Sequence, residues 1–273
     1  MKNITVIIII FLIIFDVVCK IKKNNIYVPE PEIPRVINKV FIQHSGGLEN
    51  SLELEKLKHV HDDWLVKNSG YEIRYWGLND CRSFLKQLPS IYLHTFDKLS
   101  AYAAKTDFFR YCLIYKNGGW YSDWKEQCMK QGLLEDLSSG GTEYVFMRSN
   151  PKSSRFKHCV DNGFFGSIPN NPILKQIILE CIKNTNNEYY GDNPLSTVGP
   201  CVMGKFTNNP SYNLKTKNGY YSREDKSIPG GYFIYDNELI IIHKCDGCGD
   251  AVSHNWTNGN NYSEMWKERK FFN

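Results

Sequence analysis

Residues 99–123, LSAYAAKTDFFRYCLIYKNGGWYSD, constrain the chain more than any other stretch. Ala101, Ala104, Phe108, Cys112 and Tyr115 line one helical stripe, Ser100 stands where an N-cap is wanted, and Asn117-Gly118-Gly119 supplies a stop. The aromatics that follow predict a buried strand with Asp123 at its tip. A helix turned directly into a buried strand is half of a strand–helix–strand unit, and the rest of the chain repeats the alternation. VINKVFIQ (36–43), bounded by Pro34 and Gly46, reads as a strand, and Leu52, Leu54, Leu57, Val60 and Trp64 as a helix over 52–66. YEIRYW (71–76) is a second strand, followed by a helix that Asn79 or Asp80 caps; EYVFMR (143–148) is a strand and 171–183 a helix. This order predicts an α/β domain with a mainly parallel sheet. Such sheets collect ligands at the C-terminal ends of their strands, which is where Asp123 belongs.

The composition supports one folded domain: 273 residues, 42% hydrophobic and 14% aromatic, suffice for one good-sized core. The net charge of +4 is small, and the basic clusters at Lys20–Lys23, Lys152–His158 and Lys267–Lys270 are short and separated, so nucleic acid is not an expected partner. G-x-S-x-G, H-E-x-x-H, phosphate-loop and G-x-G-x-x-G patterns are all missing, which removes the usual hydrolase and dehydrogenase templates.

The first 23 residues differ from the rest. The run from Ile4 to Cys19 is almost wholly apolar. As a helix it spans about 24 Å, short of a bilayer core of about 30 Å. It suits a signal peptide or a short signal anchor. Residues 24–33 then read as a proline-punctuated linker, and 34–273 as the folded domain. Entry into the secretory pathway, with the domain on the luminal side of the endoplasmic reticulum or Golgi, is the expectation. Sequons at Asn255 and Asn261 agree with a lumen. The lumen also permits disulfides among the eight cysteines beyond Cys19, with pairing left open. Cys112, inside the helical stripe, reads as a buried free thiol, and the lone Cys245–Cys248 spacing as a loop rather than a zinc site.

Asp107 and Arg110 lie three apart on one helix face. On an arbitrary helix they would be a solvated ion pair worth less than about 1 kcal/mol. Here the helix feeds the strand that carries Asp123, so two carboxylates and a guanidinium can share one cleft. Carboxylates hold hydroxyl pairs and a guanidinium holds phosphate oxygens, which suits a polyhydroxylated, phosphorylated ligand. A glycosidase would use Asp107 and Asp123 as an acid/base pair, but Arg110 beside them favours keeping both ionised.

AAKTDFFRYCLIYKNGGWYSDWK resembles the signature of glycosyltransferases with a D-x-D sugar-binding motif, of the glycosyltransferase A fold. That group includes fungal initiating α-1,6-mannosyltransferases, inositol phosphorylceramide mannosyltransferases and, more remotely, glucosylating clostridial toxins. IPRVINKVFIQ, GYEIRYW, DNGFFGSIPNNPIL and TVGPCVMGKF extend the likeness over residues 33–205. The resemblance implies a nucleotide-sugar donor, with GDP-mannose favoured, a glycan or glycolipid acceptor, and retention of anomeric configuration. It implies that Phe41 packs on the donor's base, that Asp107 and Arg110 contact its sugar and phosphate, and that Tyr121 precedes the motif. Asp123 is the motif's first aspartate, Asn162 stands near the reacting sugar, and His254 and Trp256 belong to a segment that closes over the donor. A glycan on Asn255 would exclude that last role. A non-catalytic luminal protein that binds sugar nucleotides or glycans is the second reading.

Lys125 departs from the pattern, because it stands where the family carries the aspartate that ligates Mn2+ or Mg2+. Three explanations stay open at this point. The ammonium can replace the ion at the leaving diphosphate; a metal can be held by Asp123 with Glu126 or His254; or the site has decayed. Without a nucleophilic carboxylate, same-face attack assisted by the leaving phosphate is the mechanism expected.

Overall fold

The computed structural model describes residues 31–42, 55, 57–149, 158–208, 212–228, 230–244 and 260–273, all within one compact unit that spans Pro31–Asn273. The apolar N-terminal run lies outside these residues. No described helix is long and apolar enough to cross a membrane.

The elements follow the expected alternation, with the fine boundaries set by packing. Strand β1 (Val36–Val40) leads to α1 (Lys58–Lys67) and β2 (Glu72–Trp76). Helices α2 (Leu78–Leu85), α3 (Ser90–Lys98) and α4 (Tyr102–Asn117) then carry the chain to β3 (Gly119–Ser122) and the short β4 (Gln127–Cys128). Next come α5 (Leu133–Ser138), β5 (Tyr144–Arg148), β6 (Val160–Ser167), α6 (Pro172–Asn186) and α7 (Pro200–Thr207). Strands β7 (Thr216–Ser222), β8 (Tyr232–Tyr235) and β9 (Glu238–Ile242) precede α8 (Tyr262–Lys267). Among the described residues the strands form one sheet in the order β2-β1-β3-β6-β5-β7-β8-β9-β4.

The sheet bears out the expectation of a mainly parallel one only in part. Only β1–β2, β1–β3 and β5–β7 run parallel; β3–β6, β5–β6, β7–β8, β8–β9 and β4–β9 are antiparallel. The parallel part is the part with helical crossovers, which parallel neighbours require. In the remainder, β5–β6, β7–β8 and β8–β9 are direct returns, while β3–β6 and β4–β9 join strands distant in sequence; the turn residues of the β8–β9 hairpin, Asp236 and Asn237, both take positive φ (51° and 62°). The architecture is therefore a single α/β unit around a mixed sheet.

Side-chain alternation on β3 joins the sheet's two cores. Tyr121 packs into one with Phe108, Phe109, Cys112 and Leu113 of α4 and Ile177 and Ile178 of α6. Trp120 faces the other with Ile37, Val145, Phe164 and Phe233. Each fully buried Phe or Leu contributes roughly 1.5–3 kcal/mol, so α4 is fixed by its stripe rather than by propensity. Its ends are also accounted for. Gly118 and Gly119 take φ of 67° and 95°, and a Cβ on Gly118 would lie 2.8 Å from Cδ of both Pro34 and Pro169. Only glycine fits so sharp a passage between two prolines.

The expected cap on α4 is displaced. Ala101 is the N-cap residue and carries no side-chain cap, while Ser100 Oγ donates to Asn273 Oδ1 at 2.8 Å. Asn260 Oδ1 instead accepts from Tyr102 N at 2.7 Å, so a distant segment satisfies the helix start. For α2 the N-cap is Gly77, whose N–H donates to the Asp80 carboxylate at 2.9 Å; Asn79 and Asp80 lie inside the first turn. Cys112 is a buried free thiol as expected, and Cys159 and Cys201 form a disulfide that ties the start of β6 to α7.

Candidate functional site

Asp123 follows β3 directly, at the C-terminal end of that strand. Its N–H donates to Gly163 O on β6 at 2.8 Å, and Lys39 Nζ donates to Asp123 O and to Ser122 Oγ, both at 3.0 Å. Burial pulls Lys39 down to about 8, although Glu126 and Asp123 favour its charge. The chain then turns back: Glu126 N donates to Asp123 O at 3.1 Å, and Glu126 Oε2 accepts from Asp123 N and Ser122 Oγ, each at 3.0 Å. The turn 123–126 is thus fixed from below by Lys39 and from within by Glu126.

The polar face of α4 lies against this turn. Arg110, 5% exposed, is no solvated ion pair. Its Nη2 lies 3.1 Å from Asp107 Oδ1 and its Nη1 3.1 Å from Asp123 Oδ1, while Nη1 also donates to Asn162 O at 2.7 Å and Nε to Thr106 O at 3.3 Å. The guanidinium stands 4.2 Å from the Tyr121 ring centroid, and Tyr121 OH donates to Asp123 Oδ1 at 2.7 Å. Burial opposes the Arg110 charge, yet Tyr121, Asp123 and Asp107 together hold the group above its usual range. Asn162 Nδ2 donates to Asp107 Oδ1 at 2.9 Å and to Tyr111 OH at 2.7 Å. Burial pushes the Asp107 carboxyl up to about 6, against the lowering effect of Arg110 and Asn162. With so many of its N–H groups engaged, Arg110 holds the two aspartates in place more than it offers itself to a ligand.

Beside the turn is an aromatic shelf. Phe41 stacks on Trp124 with centroids 4.8 Å apart and planes at 24°. His61 holds Trp124 from behind: Nε2 donates to Trp124 O at 2.9 Å, and Nδ1 accepts from Tyr75 OH at 3.1 Å. Burial drives His61 down to about 3, so the ring stays neutral and this arrangement persists across the useful pH range. Trp124 Nε1 is buried with no hydrogen-bond partner among the described residues.

On the other side of the turn, Glu126, Asp161 and His243 each offer a ligand atom, and the three atoms lie within 4.8 Å of one another. His243 Nδ1 and Glu126 Oε1 are 3.2 Å apart. Burial raises Glu126 to about 7, although His243 favours its charge. Burial lowers His243, but the Glu126 hydrogen bond and the charges of Asp161, Glu126 and Asp123 carry it up to about 9. Three carboxylates face the His243 ring and favour its charged form. An ammonium cannot ligate a cation, so Lys125, half-buried in the same turn, leaves the second motif position without a ligand. Glu126, Asp161 and His243 are a chemically suitable set for a divalent ion.

The structure therefore brings Phe41, Asp107, Arg110, Tyr121, Asp123, Lys125, Glu126 and Asn162 around the end of β3, while His254 and Trp256 lie outside the described residues. Sequence reasoning missed Lys39, Trp124, Asp161 and His243. Asp161 adjoins Asn162, and Trp124 adjoins Asp123; that adjacency was the only available signal. His243, which follows β9 by one residue, had none.

The chain is similar to known proteins over part of its length. Residues 52–137 match the family model described as "Glycosyltransferase sugar-binding region containing DXD motif". That span holds Asp107, Arg110, Asp123, Lys125 and Glu126 but not Phe41, Asn162, Asp161 or His243. An uncharacterized glycosyltransferase of Acanthamoeba polyphaga mimivirus is 30% identical over 156 residues, which is 57% of this chain and 58% of the relative. The chain thus matches a little over half the length of that curated relative. A solved structure named PaToxG glycosyltransferase superposes with TM-score 0.47 at 19% identity, covering 65% of this chain and 69% of the other. A second, a glycosyltransferase involved in glycosylation of the major capsid of PBCV-1, gives TM-score 0.38 at 12% identity, covering 67% and 80%.

Proposed function

We propose that the protein is a glycosyltransferase that moves a hexose from a nucleotide-sugar donor to a glycan or glycolipid acceptor in the secretory pathway. GDP-mannose is the proposed donor, mannose the sugar transferred, and retention the stereochemical outcome. The observation that carries this reading is the buried Arg110 fixed between Asp107 and Asp123 at the end of β3. Two carboxylates held 3.1 Å from one guanidinium are aligned acceptors for neighbouring sugar hydroxyls.

In this reading the base stacks on the Phe41–Trp124 shelf, Asp107 and Asp123 orient the hexose, and Asn162 holds Asp107. The acceptor oxygen bonds to the anomeric carbon as the bond from that carbon to the phosphate oxygen breaks. The acceptor's proton passes to a leaving phosphate oxygen on the same face. The products are a glycoside and a nucleoside diphosphate. A divalent ion, when bound, would neutralise charge that builds on the leaving diphosphate; Lys125 adds one positive charge in the same turn.

Purified protein incubated with a panel of nucleotide hexoses and Mn2+ should release nucleoside diphosphate, fastest from GDP-mannose. Asp107→Asn should reduce the rate at least 100-fold, about 2.7 kcal/mol of barrier. Release from no donor would sink the proposal, and tight donor binding without release would replace it with the sugar-nucleotide-binding reading.

A further inference from the structure

Glu126, Asp161 and His243 reach one point from three places in the fold: the turn after β3, the second residue of β6, and the residue after β9. We propose that they form a divalent-cation site, suited to Mn2+, that stands in for the ligand position lost to Lys125. The ion's part in sugar transfer rests on the function proposed above; the site itself does not.

Ligand chemistry is the first argument. One imidazole nitrogen and two carboxylate oxygens suit a divalent transition metal and leave positions open for phosphate oxygens or water. Spacing is the second. Ligands at about 2.0–2.2 Å from a shared ion lie roughly 3 Å or more apart, and His243 Nδ1 and Glu126 Oε1 are 3.2 Å apart. The orientation of the ligands is the third. Glu126 Oε2 is held by Ser122 Oγ and Asp123 N, which leaves Oε1 directed at the cluster. Asp161 Oδ1 accepts from Gly163 N at 2.8 Å. The His243 ring is packed edge-on by Tyr221 and Phe233, at centroid distances of 5.5 and 5.7 Å. Metal ligands are oriented by such contacts.

A separate observation concerns Gly163. A Cβ there would lie 2.6 Å from Glu126 Oε1, 3.0 Å from Asp161 Oδ1 and 3.1 Å from Asp123 Oδ2. Three carboxylates from three segments converge on a place that stays open only because residue 163 has no side chain. Charge agrees. The carboxylates of Asp107, Asp123, Glu126 and Asp161 outnumber Lys39, Arg110 and Lys125 when His243 is neutral. A proton on His243, paired with Glu126, is the competing occupant.

The full-length chain, stripped with chelator, is titrated with Mn2+ alone and followed by electron paramagnetic resonance. The site predicts one tightly bound ion per chain, with electron spin-echo modulation from a coordinated imidazole nitrogen. His243→Ala should remove the modulation and weaken binding at least tenfold, and Asp161→Asn should weaken it similarly. Both variants should keep wild-type far-UV circular dichroism, so a folding failure is visible as such. Lys125→Ala removes a positive charge beside the site, so it should not weaken Mn2+ binding. Wild-type protein that binds no stoichiometric Mn2+, or binds it without nitrogen modulation, or binds it equally in folded His243→Ala, overturns the proposal. Binding with modulation but no turnover of any nucleotide sugar upholds the site and defeats the functional reading. Turnover by protein that binds no Mn2+ does the reverse.

Discussion

Replacing Arg110 with alanine should destabilise the protein severely, and the size of the loss separates a built site from a decorative ion pair. A solvated pair on a helix surface contributes less than about 1 kcal/mol. Arg110 is 5% exposed and bonded to Asp107, Asp123 and Asn162 O, so its removal strands two carboxylates and a carbonyl oxygen. Breaking a buried pair from one side costs about 3–5 kcal/mol. At about 2–4 °C per kcal/mol for a domain of this size, Tm should fall by roughly 6–20 °C. The deficit should shrink in acid. Asp107 sits at about 6 with Arg110 in place, above its unfolded value, so the folded state takes up a proton first as pH falls. Without Arg110 that carboxyl rises further, and protonation relieves the stranded charge. Thermal unfolding followed by circular dichroism at pH 8 and pH 5 should therefore show a larger gap from wild type at pH 8. A Tm within 2–3 °C of wild type at both values (about 1 kcal/mol) would refute the burial argument.

Two further outcomes follow from groups away from the cleft. Lys105 is 8% exposed, its ammonium donates to Phe96 O at 2.7 Å, and burial lowers it to about 8. Between that value and its unfolded 10.5 the unfolded chain binds more protons, so stability rises with pH there and the full cost is present below 8; Lys105→Met should remove on the order of 3 kcal/mol of that rise, as denaturant titrations at pH 8 and pH 10 would show. The Cys159–Cys201 bridge closes a separation of 42 residues, so the double serine variant should lose about 4 kcal/mol by loop entropy, and an unchanged denaturation midpoint would contradict that.

Local signals in the sequence were reliable where one element controls its own shape. The α4 stripe, its Gly118-Gly119 exit and the β3 aromatics were readable because periodicity and glycine chemistry act over a few residues. So was the neighbourhood of Asp107, Arg110 and Asp123, since a tight turn fixes one end of a helix to the strand beside it. Strands β6 and β7 were not legible. VDNGFFGS and TKNGYYS carry glycine and polar residues at sheet positions, as glycine makes room for close neighbours: a Cβ on Gly219 would lie 2.3 Å from Ile234 O. Missing those strands concealed the antiparallel half of the sheet and, with it, the return of β9 that delivers His243. The N-cap of α4 failed for a related reason, since Asn260, which serves it, is remote in sequence.

The central claim is that the Asp123 end of β3 turns over a nucleotide sugar, and phosphorus-31 magnetic resonance tests it most directly. Wild-type protein and Asp123→Asn, matched by circular dichroism, are each incubated with GDP-mannose and Mn2+ in the presence of a mannose-containing acceptor. The account predicts that the donor's diphosphate diester signals give way to those of free GDP with wild type, at least 100-fold faster than with the variant. Equal conversion by the two proteins, or none by wild type with GDP-mannose or any other nucleotide hexose, would contradict it.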